Sequence, residues 1–173
     1  MQQKSTKATI VSLKKGRRFN PFLMVNLSLF LIMPLLSVAA EVIFEHASFD
    51  WLVIGKWFVF WTVGIRLFTA GISQSSNPAF TAGIFKMTTR ESYIVIRELG
   101  FANISLGVMG ILSLINDHWR TLAAITGTMF FGLAGIQHLL KKPDSSNEAI
   151  AMIGDLFVMI VLLLYLIIAV FIN

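Results

Sequence analysis

The sequence predicts an all-α integral membrane bundle of five transmembrane helices, a four-helix core plus an N-terminal helix. Three observations carry this. Of the 173 residues, 56% are hydrophobic and only 13% charged, whereas a soluble domain carries about 25% charged residues. The apolar residues fall into runs near the roughly 20 residues that a transmembrane helix needs. Basic segments alternate with non-basic ones along the chain, as an odd number of spans requires. The mean hydropathy, +0.77, agrees. The chain has no cysteine, which removes disulfides, thiolate metal sites and cysteine nucleophiles.

Residues 1–18 form a basic tail, too short and polar to fold alone, and 19–173 form a single membrane domain. The first span runs from Phe22 to Ala40 without a charge. It has a rival reading as a signal peptide, with Lys14, Lys15, Arg17 and Arg18 ahead of it and Ser37-Val38-Ala39-Ala40 at a cleavage position. Its apolar stretch exceeds the roughly 7–15 residues of a signal core, which favours a retained helix. The second span runs from Trp51 to about Ser73 and carries Lys56 and Arg66. Its aromatic cluster, Trp51, Trp57, Phe58, Phe60 and Trp61, fits an outer-interface belt continuing onto the lipid face.

Asn77-Pro78 reads as a cap and first helical residue, so a short interfacial helix is expected from Pro78 to about Lys86. Thr88 and Glu91 have capping-box spacing and should start the third helix within the loop. That helix spans from about Tyr93 to Ile115 and carries Arg97, Glu98 and Asn103. Gly100, Asn103, Gly107 and Gly110 form one stripe on it, and Glu98, Ala102 and Ser105 form another. Burial on more than one side, and hence a central place, is the expectation. The fourth span, Thr121–Leu140, ends in Gln137 and His138. Its face of Thr128, Gly132, Gly135 and His138 is expected to pack on the third helix, because small residues let helices approach in lipid. Residues 142–147 read as an ordinary polar turn. The fifth span runs from about Ala149 to the C-terminus and carries Asp155.

Orientation follows from Lys and Arg. The tail, the loop with Lys86 and Arg90, and the loop with Lys141 and Lys142 are basic, whereas the segment with Glu41, Glu45, His46 and Asp50 is not. The rule places the N-terminus in the cytoplasm and the C-terminus outside the cell membrane. It also makes the tail a topology signal rather than a nucleic-acid arm.

Counting from the inner ends at 1.5 Å per residue puts Arg66 about 10 Å deep, Glu98 about 6–8 Å, Asp155 about 9 Å and His138 about 3 Å. Four helices thus bring ionisable groups to the inner third, with Arg97, Asn103 and Gln137 beside them. Charges in lipid cost at least about 2.5 kcal/mol each. The sequence therefore predicts that Glu98 and Asp155 face inward within reach of Arg66, Arg97, Asn103 or His138. Such a cluster either ties helices together, at about 0.6 kcal/mol per contact, or forms a ligand or proton site.

There is no Gly-rich phosphate loop, His-Glu-x-x-His or Gly-x-Ser-x-Gly. His46, His118 and His138 fall in different segments, which disfavours a shared metal and leaves open one axial histidine. A non-enzymatic role is expected, with no cofactor specified.

From Phe58 onward the sequence resembles an uncharacterised family of small prokaryotic multispan proteins, distantly similar to DoxX-like four-helix membrane proteins. The resemblance rests on Gly71-Ile72-Ser73, on Arg97-Glu98-Leu99-Gly100-Phe101-Ala102-Asn103 through Gly107-Val108-Met109-Gly110, on Gly135-Ile136-Gln137-His138 and on Gly154-Asp155. It implies that Glu98, Asn103, His138 and Asp155 are the positions of interest. It departs from the family pattern where Gln137 separates Gly135-Ile136 from His138 and where Ser73-Gln74 replaces a histidine.

Three functions fit the sequence. One is a bundle binding a small apolar or lipid-like molecule, such as a quinone or isoprenoid, near the inner-leaflet cluster. The second is an accessory subunit packed against a larger membrane partner. The third is a proton-coupled carrier using Glu98, His138 and Asp155.

Overall fold

Asn, Asp and Ser residues just ahead of the apolar runs start most of the helices. In the computed structural model, which describes residues 20–84, 86, 87 and 89–171, six helices follow one another. They are α1 (Pro21–Phe44), α2 (Trp51–Ser76), α3 (Pro78–Ile84), α4 (Glu91–Leu112), α5 (Asp117–Lys141) and α6 (Ser146–Phe171). All but α3 are long and apolar enough to cross a membrane. The basic tail lies outside the described residues.

The caps are local. Asn20 accepts the N–H of Phe22 at 3.0 Å, with Pro21 at the first helical position. Asp50 accepts the N–H groups of Leu52 and Val53, both at 2.9 Å. Asn77 accepts the N–H of Phe80 at 3.3 Å, as Asn77-Pro78 predicts. α4 differs from expectation: Arg90 precedes it without a side-chain cap, and Thr88 lies outside the described residues. The segment before α6 is more than a polar turn. Ser145 Oγ accepts the N–H of Glu148 at 3.2 Å while the Glu148 carboxylate accepts the N–H of Asp144 at 3.0 Å. This arrangement resembles a capping box and buries Glu148.

α2, rather than α4, is the central helix. It packs on α1, α4, α5 and α6. Its Phe58, Val59, Val63 and Leu67 meet Ala123, Ala124 and Phe131 of α5, Val158, Leu162 and Tyr165 of α6, and Phe30 of α1. α1 therefore lies at the flank yet contributes to the core. The aromatic cluster of α2 is divided, with Trp51 exposed and Trp57, Phe60 and Trp61 half-buried. Phe58 is buried, the Trp61 indole donates to Ser37 of α1 at 2.9 Å, and the Trp57 indole donates to Glu41.

α4 is held by glycine on one face only. A Cβ on Gly71 of α2 would lie 2.6 Å from the carbonyl oxygen of Gly100, and one on Gly107 would lie 2.5 Å from the backbone nitrogen of Phe68. Gly64 and Gly110 meet in the same way. Glu98, Ala102 and Ser105 are exposed. The small face of α5 does not pack on α4: Gly132 faces Met159 and Gly135 faces Leu156, both on α6.

Two helices widen partway along. Ser28–Ile32 in α1 and Val59–Ile65 in α2 are π-helical and lie against each other. In α1 the cause is Pro34, which has no N–H and whose ring would crowd the carbonyl four residues back. The N–H of Met33 reaches back five residues, to Ser28. In α2 the N–H of Arg66 reaches back to Trp61.

Candidate functional site

Arg66 follows directly on the π-helical stretch of α2. It is ten residues, about 15 Å, from the Ser76 end of the helix. Asp155 of α6 is nine residues, about 14 Å, from Ser146. Because α2 and α6 run in opposite directions, the two groups come to one level in the middle of the bundle. Their charges act on each other, but among the described residues they do not close an ion pair. The Arg66 guanidinium lies over the Phe30 ring, 5.8 Å from its centre. Arg66 Nε is buried and has no hydrogen-bond partner among the described residues.

Phe30 is also part of the lining of a groove between α1 and α6. The groove holds about 250 Å³ and is lined by Leu23, Asn26, Leu27, Phe30 and Leu31 on one side and Ile150, Ile153, Gly154 and Phe157 on the other. Gly154 is needed here, because a Cβ would lie 2.7 Å from the Phe30 ring. The Asn26 amide donates to the Phe22 carbonyl at 2.7 Å, so one polar group of the lining is already satisfied within α1. At the same end, the Asn20 amide donates to Asn147 Oδ1 at 2.8 Å and ties α1 to the start of α6. The remaining lining is apolar, a surface suited to hydrocarbon. One aromatic ring thus touches both the apolar groove and a buried cation.

The seven residues expected to converge are divided among several places. Arg66 and Asp155 act on each other through their charges inside the bundle, without an ion pair among the described residues. Asn103 is buried in the α2–α4 seam, where its amide donates to Gln74 Oε1 at 2.8 Å. Its own oxygen and the neighbouring Ser75 hydroxyl have no partner among the described residues. His138 lies half-buried at the end of α5. Gln137, Arg97 and Glu98 are exposed. The inward Glu98 is thus corrected, for a geometric reason. Glu98 is nine residues from Gly107, which is 900° of helix, or half a turn out of phase. Turning the glycines toward α2 turns Glu98 away from it.

Two polar clusters were missing from the sequence expectation. Glu41 is buried at the far end of α1, where it accepts from Lys56 Nζ at 2.6 Å and from the Trp57 indole. The apolar run continuing through Val42-Ile43-Phe44 is the signal that places Glu41 inside a helix rather than in a loop. Arg120 is buried as well, donating to Asp117 and to the Ser113 carbonyl. Among the described residues no three His, Asp or Glu side chains are arranged to hold a metal ion.

The pattern of one sequence family, DUF6790, matches residues 20–173, and so takes in every helix of the bundle. The chain belongs to that family, a family of unknown function. No curated protein matches the chain, and no solved structure does. The family match covers both sides of the groove and the Arg66–Asp155 pair.

Proposed function

We propose that this protein binds a small apolar or lipid-like molecule, of the quinone or isoprenoid class, which enters laterally between α1 and α6. The apolar chain lies in the groove, and Arg66 and Asp155 supply the polar contact behind Phe30. The carrying observation is the buried Arg66 Nε that no described residue satisfies. A buried donor without a partner costs roughly 1–3 kcal/mol, and a ligand oxygen would remove that cost. Binding sites are typically apolar clefts with a few convergent polar groups. In this reading the protein is a multi-pass component of the cell membrane with its N-terminus in the cytoplasm and its C-terminus outside. The distribution of Lys and Arg supports that orientation. The distant DoxX-like kinship from Phe58 onward belongs to the same proposal.

The proton-carrier alternative draws less support, because Glu98 faces away from Asp155 and His138. The accessory-subunit alternative draws support from that same outward Glu98.

The test is native mass spectrometry of gently extracted protein, wild type beside Leu27→Trp. Leu27 lines the groove and is 45% exposed, so an indole there fills the groove without disturbing the core. The expected result is a lipid-sized adduct on the wild type that Leu27→Trp loses. An adduct held equally by both proteins, or absent from both, would refute the groove as the site.

A further inference from the structure

The outward face of α4 is apolar at Ile94, Val95, Phe101 and Val108, yet it carries two exposed charges, Arg97 and Glu98. Its midline runs through Glu98, Ala102 and Ser105, all exposed, and helical geometry puts Ser105 within about 20° of Glu98. Arg97, also exposed, lies about 100° to one side. Among the described residues neither Arg97 nor Glu98 enters an ion pair. Glu98 is about 10 Å along the axis from Glu91, too deep for a short side chain to reach water with ease.

The helix cannot rotate to hide this face. A Cβ on Gly107 would already strike the Phe68 backbone, and Gly100 and Gly110 are as tightly held by α2. Any larger side chain brought to that seam would meet the same backbone. No described residue pairs with Glu98, and the fixed rotation of α4 keeps it turned outward.

We propose that a second copy of this chain docks on the outward face of α4, with the two α4 helices side by side about a two-fold axis. Arg97 and Glu98 make the face self-complementary. In a two-fold contact, residue i of one copy meets residue j of the other and the reverse, and both copies hold these residues at the same depth. Glu98 stands near the axis, so the two carboxylates approach each other there, and the Arg97 of each copy reaches from the flank to the Glu98 of the other. Ala102 and Ser105 give the close approach that helix pairs in lipid require. The Ser105 hydroxyl donates to the Phe101 carbonyl at 2.9 Å, so it enters the contact without an unmet donor.

The chain contains no cysteine, so Ser105→Cys in the otherwise unchanged full-length protein introduces a single thiol on the proposed axis. Oxidation of this variant in membranes is compared with Leu133→Cys, which lies on the exposed face of α5. The proposal expects a disulfide-linked dimer from Ser105→Cys at least tenfold above that from Leu133→Cys. In the Ser105→Cys background, Glu98→Arg should lower the yield about tenfold, and Arg97→Glu together with Glu98→Arg should restore it. Equal crosslinking at Ser105 and Leu133, a Ser105 product containing a different protein, or a double charge swap that stays as low as the single one would each overturn the proposal. If Glu98→Arg fails to accumulate, the comparison of the two cysteine variants decides alone.

Discussion

Substituting alanine at Gly107 tests the α2–α4 seam most directly. The new methyl would lie 2.5 Å from the Phe68 nitrogen and 2.7 Å from its Cα, whereas ordinary contact begins at 3.4 Å. The shortfall is about 0.9 Å, and the obstructing atoms are backbone, so no rotamer change relieves it. α4 must move off α2. A gap of about 0.5–1 Å forfeits a quarter to a half of each dispersion contact, and Gly64, Gly71, Gly100 and Gly110 share the same seam. Against this, alanine gains up to about 1 kcal/mol over glycine in helix propensity. Overpacking of about 1–3 kcal/mol wins. Two other glycines serve as controls. At Gly132 the added methyl meets only the flexible end of Met159, at 3.0 Å, and at Gly83 it meets nothing within 4 Å. Unfolding in mixed micelles by heat or by added SDS should therefore rank Gly83→Ala as neutral or stabilising and Gly132→Ala as near neutral. Gly107→Ala should be less stable by about 1–3 kcal/mol. If Gly107→Ala is as stable as Gly132→Ala, the backbone contact does not set the position of α4 and the outward direction assigned to Glu98 loses its support.

Three further outcomes are expected. Asp155→Asn removes the interior carboxylate whose charge acts on Arg66 and should lower stability, by less than the roughly 3–5 kcal/mol of a closed buried pair, whereas Arg66→Met with Asp155→Leu should recover most of that loss; equal stabilities of the single and double variants would contradict the coupling. Glu41→Gln removes the charge that Lys56 and Trp57 share, and should lower stability by about 1–3 kcal/mol and alter the tryptophan emission. Asn103→Leu leaves the Gln74 carbonyl without its donor and should cost about 1–3 kcal/mol, while adding Gln74→Met should return much of it; a thermal melt of the three proteins would show whether it does.

The identity and order of the helices were legible because apolar run lengths near 20 residues leave few alternatives, and Asn77-Pro78 marked the short helix by its capping chemistry. Arg66 and Asp155 were expected near one depth, and their charges act on each other without closing an ion pair among the described residues. Direction around the helix axis was not legible. α4 carries a glycine stripe and a Glu98-Ala102-Ser105 stripe half a turn apart, and both are reasonable inward faces when the helix is read alone. The glycine stripe wins because its backbone can meet the glycines of α2, a gain that depends on Gly64 and Gly71 lying at matching heights on another helix. The same dependence hid Glu41. A carboxylate ending an apolar run reads as a loop residue until Lys56 is known to stand beside it. Arg120, at the start of α5, is drawn inward by Asp117 and the Ser113 carbonyl, partners that its place in the sequence does not reveal.

The π-helical stretches also explain a spacing. A row of buried residues at steps of four runs through each widened stretch, at Asn26, Phe30, Pro34 and Val38 in α1, with Glu41 three residues further on, and at Gly55, Val59, Val63, Leu67 and Gly71 in α2, with Phe58, Thr62 and Gly64 buried beside it. In α4, where no widening occurs, buried positions alternate steps of four and three, at Ile96, Gly100, Asn103, Gly107 and Gly110. Steps of four drift by about 40° each in an α-helix, so Gly71 would stand about 160° from Gly55. One residue absorbed by a widened turn subtracts about 100° and leaves about 60°. The extra residue thus behaves as an insertion that the helix stores without passing the rotation on. Deleting Phe60, inside the stretch, would tighten α2 to a plain α-helix and keep Arg66 on its present face, over Phe30. Deleting Phe68, beyond the stretch, would turn everything after it by about 100° and take Gly71 off α4. Length changes in this helix are silent at one place and ruinous a few residues away.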